Sequence, residues 1–190
     1  MHDTFLIDSD STHPERRHIF LTPSIDVIVD GQYGLPTVIL RPQPRGMDDS
    51  RGSFENFTLH TLANDFAITI RELSNGHRAI IVSHAFGHFV ARVTDLDNPE
   101  LVHGIVVAAG AQRYQNDPSL TVSLEQASNS SLPQNERLKH LYHAFFAATS
   151  DATVWLTGWH PELRPIYNKV ATIPSKNEWW PVIHAPILDL

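Results

Sequence analysis

Apolar residues between positions 58 and 110 follow first a helical and then a strand pattern. Behind Thr58, a residue type that caps helices well, apolar side chains recur every three or four positions until Asn75-Gly76. This spacing predicts an amphipathic helix that stops at the Asn-Gly pair. Its apolar positions are Leu59, Leu62, Ala63, Phe66, Ile70 and Leu73.

Two continuous apolar runs follow this helix, at residues 78–83 and 104–109. Apolar runs without alternation are typical of parallel strands that are covered on both faces. A second helical pattern, over residues 86–96, lies between them. The order of strand, tight turn, helix and strand predicts a βαβ unit, and therefore a parallel sheet with a right-handed crossover.

The segment before residue 58 contains shorter signals. Residues 25–29 and 37–40 are rich in β-branched side chains and predict two short strands, with a turn at Asp30-Gly31 between them. Residues 41–46 (Arg-Pro-Gln-Pro-Arg-Gly) predict a loop, because proline lacks the amide donor that a helix or a central strand needs. Residues 1–17 are polar, and we expect them to be disordered or weakly attached.

Residues 111–180 have a different character. Polar stretches alternate there with one helical pattern, over residues 136–148, and an aromatic-rich part follows. This composition predicts a layer of helices and loops rather than more sheet. Residues 185–190, at the end of the sequence, begin another apolar strand.

The composition is that of one folded domain, since the chain has 190 residues of which 42% are hydrophobic and 18% charged. A net charge of −7 without a basic run argues against nucleic-acid binding and against a polybasic membrane surface. The chain has no cysteine, which excludes disulfides, thiolate nucleophiles and zinc sites with cysteine ligands. Neither a signal peptide nor a membrane-spanning run is recognisable, so we expect a cytoplasmic protein without membrane contact.

Residues 79–92 (Ala-Ile-Ile-Val-Ser-His-Ala-Phe-Gly-His-Phe-Val-Ala-Arg) resemble the nucleophile elbow of the α/β-hydrolases. In that family a strand ends in a small-x-nucleophile-x-small pattern and turns abruptly into a helix. The small neighbours let strand and helix approach closely, while the central residue projects above the sheet. Here Ser83 and Gly87 hold the small positions, His84 and Phe86 the variable ones, and Ala85 the apex.

Other segments extend the resemblance from His18 to Leu190. Residues 41–50 resemble the family's Asp-x-Arg-Gly-x-Gly-x-Ser loop, and residues 98–107 its Pro-Glu-Leu-Val lead into the next strand. The resemblance implies an α/β fold, a partial three-layer sandwich with a mostly parallel sheet and a helical cap. It places the core in residues 18–110 and 181–190, and the cap-like segment in residues 111–180.

The sequence departs from the family pattern at the positions that carry the catalytic groups. A methyl group has no lone pair for nucleophilic attack, so Ala85 cannot form a covalent intermediate. The family's acid and histidine follow the nucleophile in chain order, and this sequence stops before both. Leu40 runs directly into Arg41, where the family has a further loop that supplies one donor of the oxyanion hole. We therefore interpret the chain as a family member with an internal deletion and a truncated C-terminus, whose catalytic site is defective.

The polar residues of the elbow have alternative roles. Ser83 could replace the missing nucleophile, but its position on the other side of the strand end favours packing or a backbone hydrogen bond. His84 and His88 are spaced like metal ligands on a helix, yet no third ligand accompanies them. His140 and His143 are also helix neighbours, and solvated positions explain them equally well. We therefore expect no metal and no cofactor.

The aromatic residues of the cap-like segment are candidates for a substrate pocket. Trp155, Trp159 and His160 could line an apolar tunnel, together with Trp179 and Trp180, although core packing is the favoured reading. The sequence leaves three functions open. The first is a defective hydrolase homologue that binds a small apolar molecule between cap and sheet. The second is a hydrolase with residual activity on a small ester, and the third is an interaction protein that self-associates through open sheet edges.

Overall fold

The computed structural model describes residues 5–9, 16–22, 25–30, 39–47, 49–110, 117–156, 160 and 162–190. The strands in these ranges are β1 (Phe5–Ser9), β2 (Arg16–Thr22), β3 (Ile25–Asp30), β4 (Ile39–Gln43), β5 (Ala79–His84), β6 (Val102–Ala108) and β7 (Ile187–Asp189). The helices are α1 (Leu59–Leu73), α2 (Gly87–Asp97), α3 (Pro118–Gln126), α4 (Gln134–Ala144), α5 (Arg164–Val170) and α6 (Lys176–Trp179). The chain divides into two compact units, Met1–Ala111 with Lys169–Leu190 and Gln112–Asn168.

The first four strands form an antiparallel sheet in the order β1-β2-β3-β4. Strand β3 matches the strand predicted at residues 25–29. Residues 5–9 and 16–17 differ from the expected disorder, because they belong to β1 and β2. Backbone pairing, such as that of Phe5 with Phe20, joins these two strands, and the polar composition of the sequence gave no sign of it.

Strand β4 corrects the predicted loop at residues 41–46. Pro42 lies inside this strand and pairs with Val27 of β3. The strand is at the edge of its sheet, where the missing amide donor of proline costs no ladder hydrogen bond. The turn begins only afterwards, and the amide of Gly46 donates to the carbonyl oxygen of Ser50 at 2.8 Å.

Helix α1 is confirmed together with its predicted cap. The hydroxyl of Thr58 accepts from the amide of Thr61, and the Thr61 side chain accepts from the amide of Thr58. This reciprocal arrangement satisfies two donors at the helix start. Asn75 and Gly76 follow the helix with φ of 53° and 80°, so the Asn-Gly pair makes the turn towards β5.

The predicted βαβ unit is confirmed as a parallel sheet in the order β5-β6-β7. Side chains on one face of this sheet, among them Ile81, Ile105 and Val107, pack with Ile70 of α1 and Ala91 of α2. Strand β7 agrees with the apolar strand expected at the end of the sequence.

The opposite face of the parallel sheet is open. Ile80 and Val82 alternate with the buried residues of β5, and Ile80, Val82 and Leu188 of β7 are 60%, 74% and 57% exposed. Among the described residues, the helices packed on this sheet therefore cover one face. The fold class is α/β as predicted and is consistent with a partial α/β-hydrolase fold; a four-stranded antiparallel sheet accompanies the three parallel strands.

Residues 169–180 belong to the first unit and not to the cap-like segment in which we expected them. Two features hold the end of the chain on α2. The carboxylate of Asp95, which is 1% exposed, accepts the amides of His184 and Ala185 at 2.7 Å and 3.1 Å. Trp179, which is fully buried, stacks against Phe89 with ring centroids 5.0 Å apart.

The second unit is helical, in agreement with the composition of residues 111–180. Ala127, Leu141 and Ala152 form its small core. Arg137, which is buried, donates to the carbonyl oxygens of Ala127 and Leu156 and so fastens α4 to the loops around it. Within the described ranges, no helix has the length and apolar character needed to cross a membrane.

Candidate functional site

The turn between β5 and α2 has the geometry expected of an elbow. Ala85 has a φ of 47°, in the left-handed region that costs an L-residue about 1–2 kcal/mol. The fold compensates this cost with hydrogen bonds on both sides of the turn. The amide of Ala85 donates to the carbonyl oxygen of Ala108 at 3.2 Å, and the amide of His88 donates to the carbonyl oxygen of Ala85 at 3.3 Å.

The two small positions of the motif lie where strand and helix approach each other. A Cβ atom built on Gly87 would meet the Cβ of Ser83 at 3.7 Å, so a side chain larger than a methyl group would press on the strand. The hydroxyl of Ser83 donates to the carbonyl oxygen of Val106 at 3.0 Å, and the residue is 5% exposed. This geometry agrees with a structural Ser83 that links β5 to β6.

The two histidines of the elbow do not converge. His84 is exposed, whereas His88 is 2% exposed and meets Trp180 edge-on, with ring centroids 5.4 Å apart. Among the described residues, no group of three or more histidine, aspartate or glutamate side chains could hold a metal ion.

Four aromatic residues lie together on and beside α2, and we call them the elbow aromatic cluster: Phe86, Phe89, Trp179 and Trp180. The ring of Phe89 lies 5.6 Å from that of Phe86 and 6.2 Å from that of Trp180, measured between centroids. Trp179 and Trp180 are 5.4 Å apart. The cluster forms an apolar wall that starts one residue after the apex of the elbow.

Two cationic side chains lie over rings of this cluster. The Cζ of Arg92 is 5.0 Å from the centroid of Trp180, and the Nζ of Lys176 is 4.6 Å from that of Phe89. Burial lowers the pKa of Arg92, although the charge of Asp189 acts in the opposite direction. Burial also lowers the pKa of Lys176. Both cations are therefore partly removed from water beside the aromatic wall, Arg92 more completely than Lys176.

The pocket residues predicted for the cap-like segment are not brought together by the described contacts. Trp155 packs edge-on against Phe146, with centroids 4.9 Å apart, and also against Phe145. His160 is exposed, and its Nδ1 lies 3.4 Å from a carboxylate oxygen of Glu162. Trp159 lies outside the described residues. A pocket formed by these residues stays a prediction.

Two polar contacts were not predicted from the sequence. Arg45 pairs with Asp65 of α1 through two hydrogen bonds of 2.8 Å and 2.9 Å, although the residues are twenty positions apart. In the second unit, the hydroxyl of Ser123 lies 3.1 Å from the Nδ1 of His140 and 2.9 Å from that of His143. The helical spacing of the two histidines was visible in the sequence, but the serine that brings them together lies on another helix.

No protein-family model matches the chain, and no curated protein matches it by sequence. Solved structures do resemble it. The N-acyl homoserine lactonase AidH, solved in complex with N-butanoyl homoserine, has a TM-score of 0.61 at 10% identity, over 90% of this chain and 76% of the lactonase. A Salmonella enterica protein named as a candidate acyltransferase has a TM-score of 0.52 at 16% identity, over 73% of this chain.

Both of these structures have the α/β-hydrolase fold. The chain spans 57% of the length of the Salmonella protein. At such low identity, the structural similarity shows the fold and not the activity. The chain has an α/β-hydrolase-like fold, as the elbow motif implied.

Proposed function

We propose that this chain is a non-catalytic protein of the α/β-hydrolase fold that binds a small apolar molecule at the elbow aromatic cluster. The observation that carries the proposal is the residue at the apex. Ala85 has the left-handed backbone of a nucleophile position, but its methyl group has no lone pair with which to attack a carbonyl carbon. The elbow therefore keeps the shape of a catalytic turn without its covalent chemistry.

The nearest hydroxyl along the strand does not supply a substitute. Ser83 is 5% exposed and its hydrogen is engaged with the carbonyl oxygen of Val106. A nucleophilic serine needs a base within hydrogen-bond reach that accepts its proton, and a backbone carbonyl oxygen is not such a base. This arrangement supports the defective site over the residual hydrolase.

Binding is supported by the aromatic wall that follows the apex. In α/β proteins, ligands bind outside the carboxyl ends of the parallel strands, which is where Ala85 and Phe86 lie. Trp180, which is half-buried like Phe86, continues that surface, and the ring of Phe89, which is 4% exposed, packs against both. An apolar ligand gains about 25 cal/mol for each Å² of apolar surface that it removes from water, so such a wall is a favourable surface for it.

Two measurements on one preparation test this proposal. Octanamide, a neutral molecule with an apolar tail, should quench tryptophan fluorescence in a saturable manner. p-Nitrophenyl butanoate should be hydrolysed at the rate of buffer alone. Hydrolysis above that rate, abolished by Ser83→Ala, would support the residual hydrolase instead. The absence of saturable octanamide binding would overturn the binding role.

The open face of the parallel sheet favours a second candidate function, self-association. Ile80, Val82 and Leu188 present apolar side chains to solvent on one face, and proteins rarely leave such a patch uncovered. We propose a second copy of the chain as the partner. Val82→Lys places a charge on this face, so it should shift the sedimentation coefficient towards that of a monomer. Val122→Lys, at an exposed valine of the other unit, is the control and should leave sedimentation unchanged. A monomeric wild type would contradict self-association.

A further inference from the structure

Arg92 is a buried cation with unsatisfied hydrogen-bond donors among the described residues. The residue is 8% exposed, and its Nε and Nη1 atoms have no hydrogen-bond partner in the part of the chain that the structure describes. A guanidinium group carries five N–H donors, and a buried charge is costly unless it is hydrogen-bonded. An unsatisfied group of this kind calls for an acceptor.

Among the described residues, the neighbours of Arg92 do not supply an acceptor to Nε or Nη1. The ring of Trp180 attracts the positive charge but offers no oxygen to Nε or Nη1. Asp189 acts on Arg92 through its charge, yet its carboxylate does not bond to either of these two atoms. The guanidinium is thus held in place by an aromatic surface while two of its nitrogen atoms remain unsatisfied.

A second cation lies on the adjoining ring. Lys176 is over Phe89, and the rings of Phe89 and Trp180 are neighbours within the elbow aromatic cluster. Lys176 and Trp180 are half-buried, so solvent reaches the cluster beside Arg92. Positive charge and apolar surface therefore meet at one place, in a chain whose net charge is −7.

We propose that the molecule bound at the elbow aromatic cluster is a carboxylate with an apolar tail, such as a medium-chain fatty acid, and that Arg92 binds its carboxylate. This inference rests on the proposed function. A carboxylate offers only acceptors and a negative charge, which a guanidinium group matches. The tail would lie against Trp180, the half-buried ring of the cluster beside Arg92.

Octanoate and octanamide are matched probes, because they share the tail and differ in the charge of the head group. Wild-type protein should bind octanoate about tenfold more tightly than octanamide, because a hydrogen bond between two charged groups is stronger than one to a neutral acceptor. Arg92→Met should weaken octanoate binding more than octanamide binding and so remove this difference. Arg71→Met, at an exposed arginine on α1, is the control and should keep the preference.

The outcomes separate the two proposals. Equal affinities for octanoate and octanamide in the wild type would overturn the role of Arg92 while leaving the proposed function intact. If neither molecule binds, the proposed function fails as well. Should Arg92→Met not fold, as judged by circular dichroism, salt provides a second test on the wild type. Octanoate affinity should fall as salt increases while octanamide affinity stays constant, and parallel behaviour would overturn the inference.

Discussion

Ala85 donates its backbone N–H to the carbonyl oxygen of Ala108 at 3.2 Å, which fastens the turn after β5 to the last residue of β6. Ala85 and Ala109, the residues that follow these two strands, share a φ of 47°. Two neighbouring parallel strands thus end in left-handed alanines. The carboxyl edge of the sheet keeps a constrained backbone at the position where the α/β-hydrolases hold their nucleophile, with a methyl group at its apex.

The salt bridge between Arg45 and Asp65 should contribute strongly to stability. Its two hydrogen bonds join the turn after β4 to α1, and the two side chains are only 16% and 10% exposed. Arg45→Ala leaves Asp65 as a nearly buried charge without its partner, so we expect a loss of about 2–4 kcal/mol in the free energy of unfolding in urea. Arg51→Ala removes an exposed arginine 3.9 Å from Asp49 and should cost less than about 0.5 kcal/mol. Equal losses in both variants would contradict this assignment.

Asp95 should hold the end of the chain against α2. Asp95→Ala removes the acceptor of the amides of His184 and Ala185, and a buried amide without a partner costs about 1–3 kcal/mol. We therefore expect a lower urea midpoint and faster proteolysis after residue 180. Asp97→Ala, two residues further along the chain at a position that pairs with His60 on the surface, should change neither by much. Protease resistance retained in Asp95→Ala would show that other contacts hold this segment.

Asp117 should make the second unit sensitive to acid. It caps α3, and hydrogen bonds from the Ser119 side chain and from the amides of Leu120 and Ser119 lower its pKa from the ordinary value of 3.8. A carboxyl group whose pKa is lowered by folding contributes stability above its unfolded pKa, and this contribution is lost as the pH falls through the folded pKa.

Asp117→Asn keeps an acceptor at the cap but does not titrate. Thermal unfolding between about pH 6 and pH 2 should therefore show a smaller loss of stability in this variant than in the wild type. The pKa of Asp151 is also lowered, by the side chain and amide of Thr153. Asp151 is present in both proteins, so the difference between their pH profiles reports on Asp117. Identical pH profiles would contradict a role of Asp117.

The features that the sequence predicted depend on local pattern. The cap at Thr58, the turn at Asn75 and the elbow at Ala85 are each set by a few consecutive residues. Arg45 and Asp65 lie in two segments that no sequence pattern connects. Only the folded chain shows that their side chains pair. The placement of Trp179 beside Phe89 likewise depends on a contact across ninety residues, which the assignment of residues 111–180 to a cap could not anticipate.

The open sheet face could not be predicted for a related reason. Continuous apolar runs at residues 78–83 and 104–109 are typical of strands covered on both faces, yet Val82 is 74% exposed. Which layer covers a strand is decided by other segments of the chain, not by the strand itself. The same limit applies to Arg92, whose burial follows from the packing of Trp180 against α2.

The central claim, that the elbow has the shape of a nucleophile turn without a nucleophile, is tested most directly by the first turnover. When wild-type protein is mixed with excess p-nitrophenyl butanoate, a covalent acyl intermediate releases one equivalent of nitrophenolate in a burst if its hydrolysis is slower than its formation, and releases nitrophenolate steadily above the buffer rate if its hydrolysis is faster. We predict no burst, no release above the buffer rate, and no acyl adduct in the mass of the intact protein. A burst of one equivalent, with an adduct that Ser83→Ala or Ser123→Ala abolishes, would contradict the account and identify the nucleophile.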